Sequence, residues 1–190
     1  MTVAHPPIDD AGLRQLLEGD VVAAAQGLIG CRIAHRDLTV VIVETEAYHE
    51  DEEACHGYRG STPRAQLLRR PPGFSYVYLS YGIHRLINVV TGSQDVSSAV
   101  LLRGGIVVEP DDAAPIPGPG RLGKLLGMSA EQDGLDLLAG GEFRLEPADP
   151  RDGIAGEPIA AGPRIGITKA VELPWRFAVS GNPGVSRPRI

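Results

Sequence analysis

Two spacings of apolar residues divide this chain. In DDAGLRQLLEG (residues 9–19) leucines lie between an aspartate cap and a glycine stop, which predicts a short helix. The stretch VVAAAQGLIG (21–30) reads as helix running into strand. Beyond it the period falls to two. Residues 30–35 and 39–48 predict a β-hairpin around His35-Arg36-Asp37. FSYVYLS (74–80) and HRLINVVT (84–91) predict a second, joined through Tyr81-Gly82. AVLLRGGIVV (99–108) and WRFAVSG (175–181) add strands, and the Pro/Gly-rich EPDDAAPIPGPG (109–120) connects to a short helix from about Arg121. No internal repeat interrupts the series. Hairpins with helices at intervals predict an α+β fold with an antiparallel sheet, formed as one domain over residues 1–190.

Composition narrows the class. The 190 residues are 43% hydrophobic, enough for a globular core. No apolar run approaches the roughly 18 residues of a membrane span. The opening MTVAHPPIDD lacks the pattern of a signal peptide, so a cytoplasmic protein is expected. Its two cysteines, Cys31 and Cys55, make no disulfide framework and are expected as reduced thiols.

The net charge of −6 argues against a nucleic-acid partner, but its distribution does not. Residues 1–58 hold 11 acids and 3 bases, whereas residues 59–103 hold 6 arginines and one acid. Residues 104–157 hold 11 acids and 4 bases, and residues 158–190 hold 5 bases and one acid. Screening over about 8–10 Å lets a basic face act locally on phosphate. The blocks are therefore either ordinary solvated faces or a DNA-binding face on an acidic protein.

The chemistry concentrates in VETEAYHEDEEACHGYRG (43–60), with six carboxylates, two histidines and a cysteine in 18 positions. Strand alternation puts Val41, Val43, Thr45 and Ala47 on a core face, and Glu44, Glu46 and Tyr48 on the other, which is solvent or a pocket. No metal-ligand spacing is present, so no metal is expected. Glu50, Asp51, Glu52 and Glu53 read as a solvated acidic turn, and His5, His35, His49 and His84 as surface residues. Phe74, Tyr76 and Tyr78 share one face of the second hairpin, either as core packing or as an aromatic stack, and Tyr81 lies at its tip. Arg59, Arg64, Arg69, Arg70 and Arg85 surround them. A carboxylate, an aromatic stack, an exposed wedge and arginines are what an enzyme acting on a flipped base needs.

These residues carry a resemblance. VETEAYHEDEEACHGYRGSTPRAQLL, then SYVYLSYGIHRLINVV, then AVLLRG resembles the 3-methyladenine DNA glycosylases of the alkyladenine (methylpurine) type. The match is densest over 43–104 and continues through GPGRLGKLLGM (118–128), PRIGI (163–167) and WRFAVSGNPGVS (175–186). The resemblance implies a single α+β domain with a curved antiparallel sheet and a protruding β-hairpin. It implies excision of alkylated or deaminated purines from duplex DNA without a metal; no other cofactor and no membrane partner are expected, and a chain of this size can act as a monomer. Glu46 matches the general base for water, Arg103 a holder of that water, and the Ile165 carbonyl a third contact to it. Tyr48, His56 and Tyr78 match the walls of the base pocket, and Asn88 the residue that crowds the 2-amino group of guanine. Tyr81 matches the wedge, and Arg64, Arg69, Arg70 and Arg121 are expected on the DNA backbone.

Physical chemistry adds two expectations. Arg103 beside Glu46 should lower its pKa and keep it ionised, with Glu44 as a structural partner or a spare carboxylate. The only lysines, Lys124 and Lys169, lie outside the main motif, which predicts hydrolysis by water without an amine nucleophile. Against the resemblance, the segment between Arg103 and Gly118 is shorter than in eukaryotic members and acidic at Glu109, Asp111 and Asp112. A non-enzymatic damage-binding protein, a carboxylate-pair glycoside hydrolase and a metal nuclease are the competing readings.

Overall fold

The structure, a computed structural model, describes residues 9–58, 60, 62–110, 113–154 and 156–190. His5, Arg59, Asp111 and Asp112 lie outside them. Helices α1 (Asp10–Glu18) and α2 (Val21–Gly27) form where the sequence places caps. Asp9 accepts from the Gly12 N–H, and Asp20 from those of Val22 and Ala23, which satisfies amides that a helix start leaves open. After α2 the chain turns before entering a strand.

The strands are β1 (Arg32–His35), β2 (Leu38–His49), β3 (Ser75–Ser80), β4 (His84–Val90), β5 (Ser98–Glu109), β6 (Pro115–Pro117), β7 (Phe143–Glu146), β8 (Ile159–Gly162) and β9 (Arg176–Val179). All pair antiparallel in the order β3-β4-β5-β2-β1-β7. β6 joins β5, and β9 pairs with both β2 and β8. The result is one α+β domain with a strongly curled sheet and few helices. No helix among the described residues is long and apolar enough to cross a membrane.

Both predicted hairpins form. Helix α4 (Pro119–Leu125) starts two residues before the expected point, and the Pro/Gly-rich connection contributes β6. The pattern had not indicated β7 and β8, of four residues each, or α3 (Pro63–Leu67). The FRLE and IAAG strands are too short to show a period, and Thr62-Pro63 is a cap and first-turn pair only in hindsight.

β2 positions the site. Its first half pairs with β1 through Leu38 to Val41, and its second half with β9 through Glu44 to Glu46. Between them its register against β5 slips at Ile42/Glu44 and Glu44/Thr45. The extra residue moves the side-chain alternation by one. Val40, Ile42 and Ala47 consequently join one core with Leu13, Leu17, Ala24 and Leu28, and Thr45 donates to the Ala25 carbonyl below them at 2.7 Å. Val43 packs instead with Ala178, Val179 and Val185. The expected single core face of Val41, Val43, Thr45 and Ala47 is therefore split by the bulge. The opposite face is covered as well, because β9 and the chain after it lie over Glu44.

Two surface expectations are corrected. His35 is buried: its Nδ1 lies 2.6 Å from the Leu126 carbonyl and its ring meets Phe143 edge-on at 5.7 Å. Glu52 leaves the acidic turn and is buried against Arg164. Asp51, Glu53 and His84 are exposed.

Candidate active site

The last turns of β2 bring Glu44 and Glu46 to one place, both fully buried. Oε1 of Glu46 accepts the Ile165 N–H at 2.7 Å. Its Oε2 accepts the Tyr48 hydroxyl at 2.8 Å and Arg103 Nη1 at 3.1 Å. A carboxylate offers about four acceptor positions, two on each oxygen. Three are filled by the described residues, and one on Oε1 is not. Ile165 contacts Glu46 through its N–H, a contact separate from the one expected between its carbonyl and the water.

Burial pushes the Glu46 pKa up, against the pull of Arg103, the Ile165 N–H and the Tyr48 hydroxyl, while Glu44 adds to the rise. The expectation that Arg103 would leave Glu46 low is corrected: its charge acts as foreseen, but desolvation exceeds it. Glu44 goes the other way. Burial would raise it, but Arg103, the N–H and hydroxyl of Ser186, and Arg176 together hold it below the ordinary range. Arg103 Nε and Arg176 Nε reach Glu44 Oε1 at 3.1 and 2.7 Å, and the Ser186 hydroxyl donates to the same oxygen at 2.7 Å. The Ser186 N–H closes the set on Oε2 at 2.7 Å. Glu44 is thus the structural partner, between two buried guanidinium groups.

Gly104 and Gly105 admit this arrangement. A Cβ on Gly104 would sit 2.2 Å from the Gly184 carbonyl, and one on Gly105 would sit 2.2 Å from Val40 Cγ1. The missing side chain at Gly104 lets the segment carrying Ser186 cross the sheet beside Arg103, and the one at Gly105 lets β5 lie close against Val40 and Val41 of β2.

In front of the carboxylates lies a cavity of about 850 Å³, within the range of small-molecule sites. Tyr48, His56, Tyr78, Asn88, Arg103 and Ile165 line it. Glu46 sits directly behind Tyr48, Arg103 and Ile165, which contact it. Burial drives the Tyr48 hydroxyl well above its usual pKa, so it stays protonated and donates to Glu46. Tyr76 and Tyr78 stack at 5.3 Å and 25°, and the His56 ring stands edge-on to Tyr78 at 4.8 Å. His56 Nδ1 is 3.0 Å from the Tyr76 hydroxyl, and burial with nearby Arg64 lowers its pKa, so it is neutral at pH 7. Asn88 Nδ2 donates to the Tyr76 carbonyl at 3.0 Å, across the β3–β4 pair, which fixes its amide at the wall.

The predicted DNA contacts divide. Arg64 and Arg121 are exposed at the cavity rim, with Tyr81. Arg69 and Arg70 are not on that rim: Arg69 pairs with Glu50 at 3.6 Å and Arg70 with Asp133 at 3.3 Å. Lys169 was not anticipated there, but it lines the cavity and pairs with Glu53 at 3.6 Å. Nor were Arg164, Arg176 and Ser186, each of which has a carboxylate partner more than a hundred residues away in sequence. Among the described residues no group of His, Cys, Asp and Glu is placed to hold a metal ion. Both cysteines are free and buried, which pushes Cys31 up to about 12 and Cys55 up to about 11.

The tip of the β3–β4 hairpin stands clear of the body. Tyr81 is 87% exposed and Ile83 is 73% exposed. Tyr81 and Gly82 both have positive φ, 49° and 70°, and the Ile83 N–H bonds to the Ser80 carbonyl at 3.0 Å, as in a type I′ turn. A tyrosine held there accepts a conformation that favours glycine, with nothing to pack against. Tyr81→Ala is expected to leave thermal stability unchanged and to weaken binding to a duplex with an abasic gap roughly tenfold, from a stacking loss of about 1–3 kcal/mol. A melting curve and a titration by fluorescence anisotropy check both halves.

A family model of methylpurine-DNA glycosylase matches residues 15–183. A protein of Frankia casuarinae is 43% identical over 190 aligned positions, which cover 89% of each chain. One from Rhodopseudomonas palustris strain BisB18 is 39% identical over 92% of this chain and 90% of its own. One from Cutibacterium acnes is 38% identical over 91% and 98%. All three bear the provisional name 3-methyladenine DNA glycosylase. On a match of that extent the chain belongs to the methylpurine-DNA glycosylase family, hydrolases of the N-glycosyl bond in DNA.

Proposed function

We propose that the protein is a monofunctional DNA glycosylase that turns a damaged purine out of duplex DNA, into the cavity, and cuts its N-glycosidic bond with water. The substrates are purines of the 3-methyladenine, hypoxanthine and ethenoadenine class. The enzyme acts as a monomer in the cytoplasm, on the nucleoid, and its product is the abasic site with which base excision repair begins. The observation that carries this reading is the Glu46 carboxylate, buried behind the cavity wall with three acceptor positions filled and one on Oε1 left.

The purine stacks on Tyr48 and Tyr78 while Tyr81 fills the gap in the duplex. A water reaches Oε1 between Ile165 and Arg103. As the glycosidic bond lengthens, the sugar takes on oxocarbenium character and the electron pair leaves with the purine. An alkylated purine departs readily because it is already cationic. Water attacks C1′ and gives a proton to Glu46, which leaves a hydroxyl at C1′. General-base help of this kind contributes about 10²–10⁴-fold.

The direction of the Glu46 shift sets a pH dependence. The base works only when deprotonated, so activity falls on the acid side of its pKa. That limb is expected at a pH above the ordinary glutamate value of 4.5. A single-turnover pH profile of base release checks it, and an inflection at or below the ordinary value would contradict it.

The test of the proposal is release of bases from methylated, hypoxanthine-bearing and ethenoadenine-bearing duplexes in EDTA, with borohydride present in a parallel set. Release with the strand intact supports hydrolysis. Because Lys169 lines the cavity, an amine mechanism has one specific observation behind it. A borohydride-trapped adduct, lost in Lys169→Ala, would replace water by Lys169 as the nucleophile.

A further inference from the structure

Arg164 lies outside the cavity and behind its wall. Its side chain is fully buried, with both Nη nitrogens paired and Nε without a hydrogen-bond partner among the described residues. Nη1 donates to the Ala47 carbonyl at 2.8 Å and to Glu52 Oε1 at 2.7 Å, and Nη2 donates to Glu52 Oε2 at 2.9 Å. The fork fixes the plane of the guanidinium. Its central carbon lies over the Tyr48 ring, 4.6 Å from the centroid. Tyr48 lines the cavity and Arg164 does not. One face of this tyrosine therefore carries a buried cation while the ring borders the cavity.

That cation has a consequence for what stacks on Tyr48. The face of an aromatic ring attracts cations through its quadrupole. A tyrosine with nothing behind it would favour a purine made cationic by alkylation over a neutral one of the same shape. A guanidinium behind the ring opposes this pull, and the Glu52 carboxylate offsets part of the opposition. Tyr78, His56 and Asn88 add no charge to the wall; Arg103 lines it with Glu46 behind, and among the described residues Glu53, Arg64, Arg121 and Lys169 are the other charged residues that border the cavity.

We propose that the Arg164–Glu52 pair sets the charge preference of the base pocket, with Arg164 cancelling the pull of Tyr48 on cationic purines so that cationic and neutral damaged purines are both accepted. The proposal rests on the reading that Tyr48 stacks on the extruded base. Arg164 is a positioning residue in this role and touches no reacting atom.

The test compares kcat/KM for release of 3-methyladenine, cationic as the nucleoside, with that of hypoxanthine, which is neutral. Three proteins are needed: the wild type, Glu52→Gln and the double variant Arg164→Met/Glu52→Gln. Glu52→Gln keeps an acceptor for Arg164 and leaves its charge uncompensated, so the cationic-to-neutral ratio is expected to fall. The double variant removes both charges and leaves no buried carboxylate alone, so the ratio is expected to rise. Each shift should be roughly threefold to tenfold, the size of a partly desolvated cation–π contact. Movement in opposite directions is what a merely structural role cannot give. Ratios that stay fixed or move together in folded proteins overturn the proposal, as does a wild type that releases one class alone. Should the double variant fail to fold, the sign of the Glu52→Gln shift decides. Loss of release from every protein, with DNA still bound, would instead sink the glycosylase reading beneath it.

Discussion

Replacing Glu46 with glutamine is expected to lower base release by at least about 10²–10⁴-fold while the protein still binds damaged duplex. Glutamine keeps the size of the side chain, and its carbonyl oxygen can still accept from the Ile165 N–H or from Tyr48 and Arg103. It cannot take a proton from water. The variant should also hold or raise its melting temperature near neutral pH. The folded Glu46 pKa is raised, so its contribution to stability is present below the unfolded value and lost as pH rises through the folded one. Removing the charge removes that opposition at pH 7. Single-turnover release and a melting curve give the two readings from one preparation. Release at the wild-type rate would remove Glu46 as the base, and a collapsed melting temperature would show that its charge supports the fold.

Glu44→Gln is expected to do the reverse. It strips the neutralising charge from Arg103 and Arg176, both buried. Breaking a buried pair by removing one partner costs about 3–5 kcal/mol. For a chain of this size that lowers the melting temperature by roughly 6–20 °C. Glu44 also gives the sign of an acid effect. Its folded pKa lies below the ordinary glutamate value, so its support is present above the unfolded pKa and lost as pH falls through the folded one. The wild type should therefore lose stability on acidification where Glu44→Gln has less to lose. Arg176 Nη1 has no hydrogen-bond partner among the described residues, so adding Arg176→Met removes one unmatched charge and one unsatisfied donor together. The double variant Glu44→Gln/Arg176→Met should recover part of the loss. Denaturant melts of the four proteins in the cycle measure it, and a Glu44→Gln cost within experimental error of zero would show that the network does not hold the sheet together.

What could be read in the sequence was local. The period-two runs located both hairpins because each strand pairs with its neighbour in sequence. Tyr81-Gly82 stood out because an aromatic between two strands has nothing beside it to pack on, and it is the most exposed of the large hydrophobic residues. Glu44, Glu46 and Tyr48 were placed on a shared face, which they keep. What escaped was set by distant residues. The bulge near Glu44 answers to β5 and β9, and no spacing within β2 announces it. Glu52 reads as one more acid in an acidic turn until Arg164, 112 residues on, takes it inside. His35 is polar by composition and buried by a carbonyl 91 residues away. Charge counting likewise cannot see that Arg69 lies beside Glu50 and Arg70 beside Asp133.

The passage of Gly184 over Gly104, which delivers Ser186 to Glu44, fixes when in the life of the molecule this site can exist. A ribosome that has read through Arg103 has already supplied Glu44, Glu46, Tyr48, His56, Tyr78 and Asn88. It has not yet supplied Ile165, Arg176 or Ser186. At about 5–20 residues per second that gap lasts roughly 4–17 s. For that interval the nascent chain carries Glu44 and Glu46 without the Ile165 N–H, the Arg176 guanidinium and the Ser186 N–H and hydroxyl that hold them. The paired carboxylates take up their buried arrangement only once the chain through Ser186 is available to close over them.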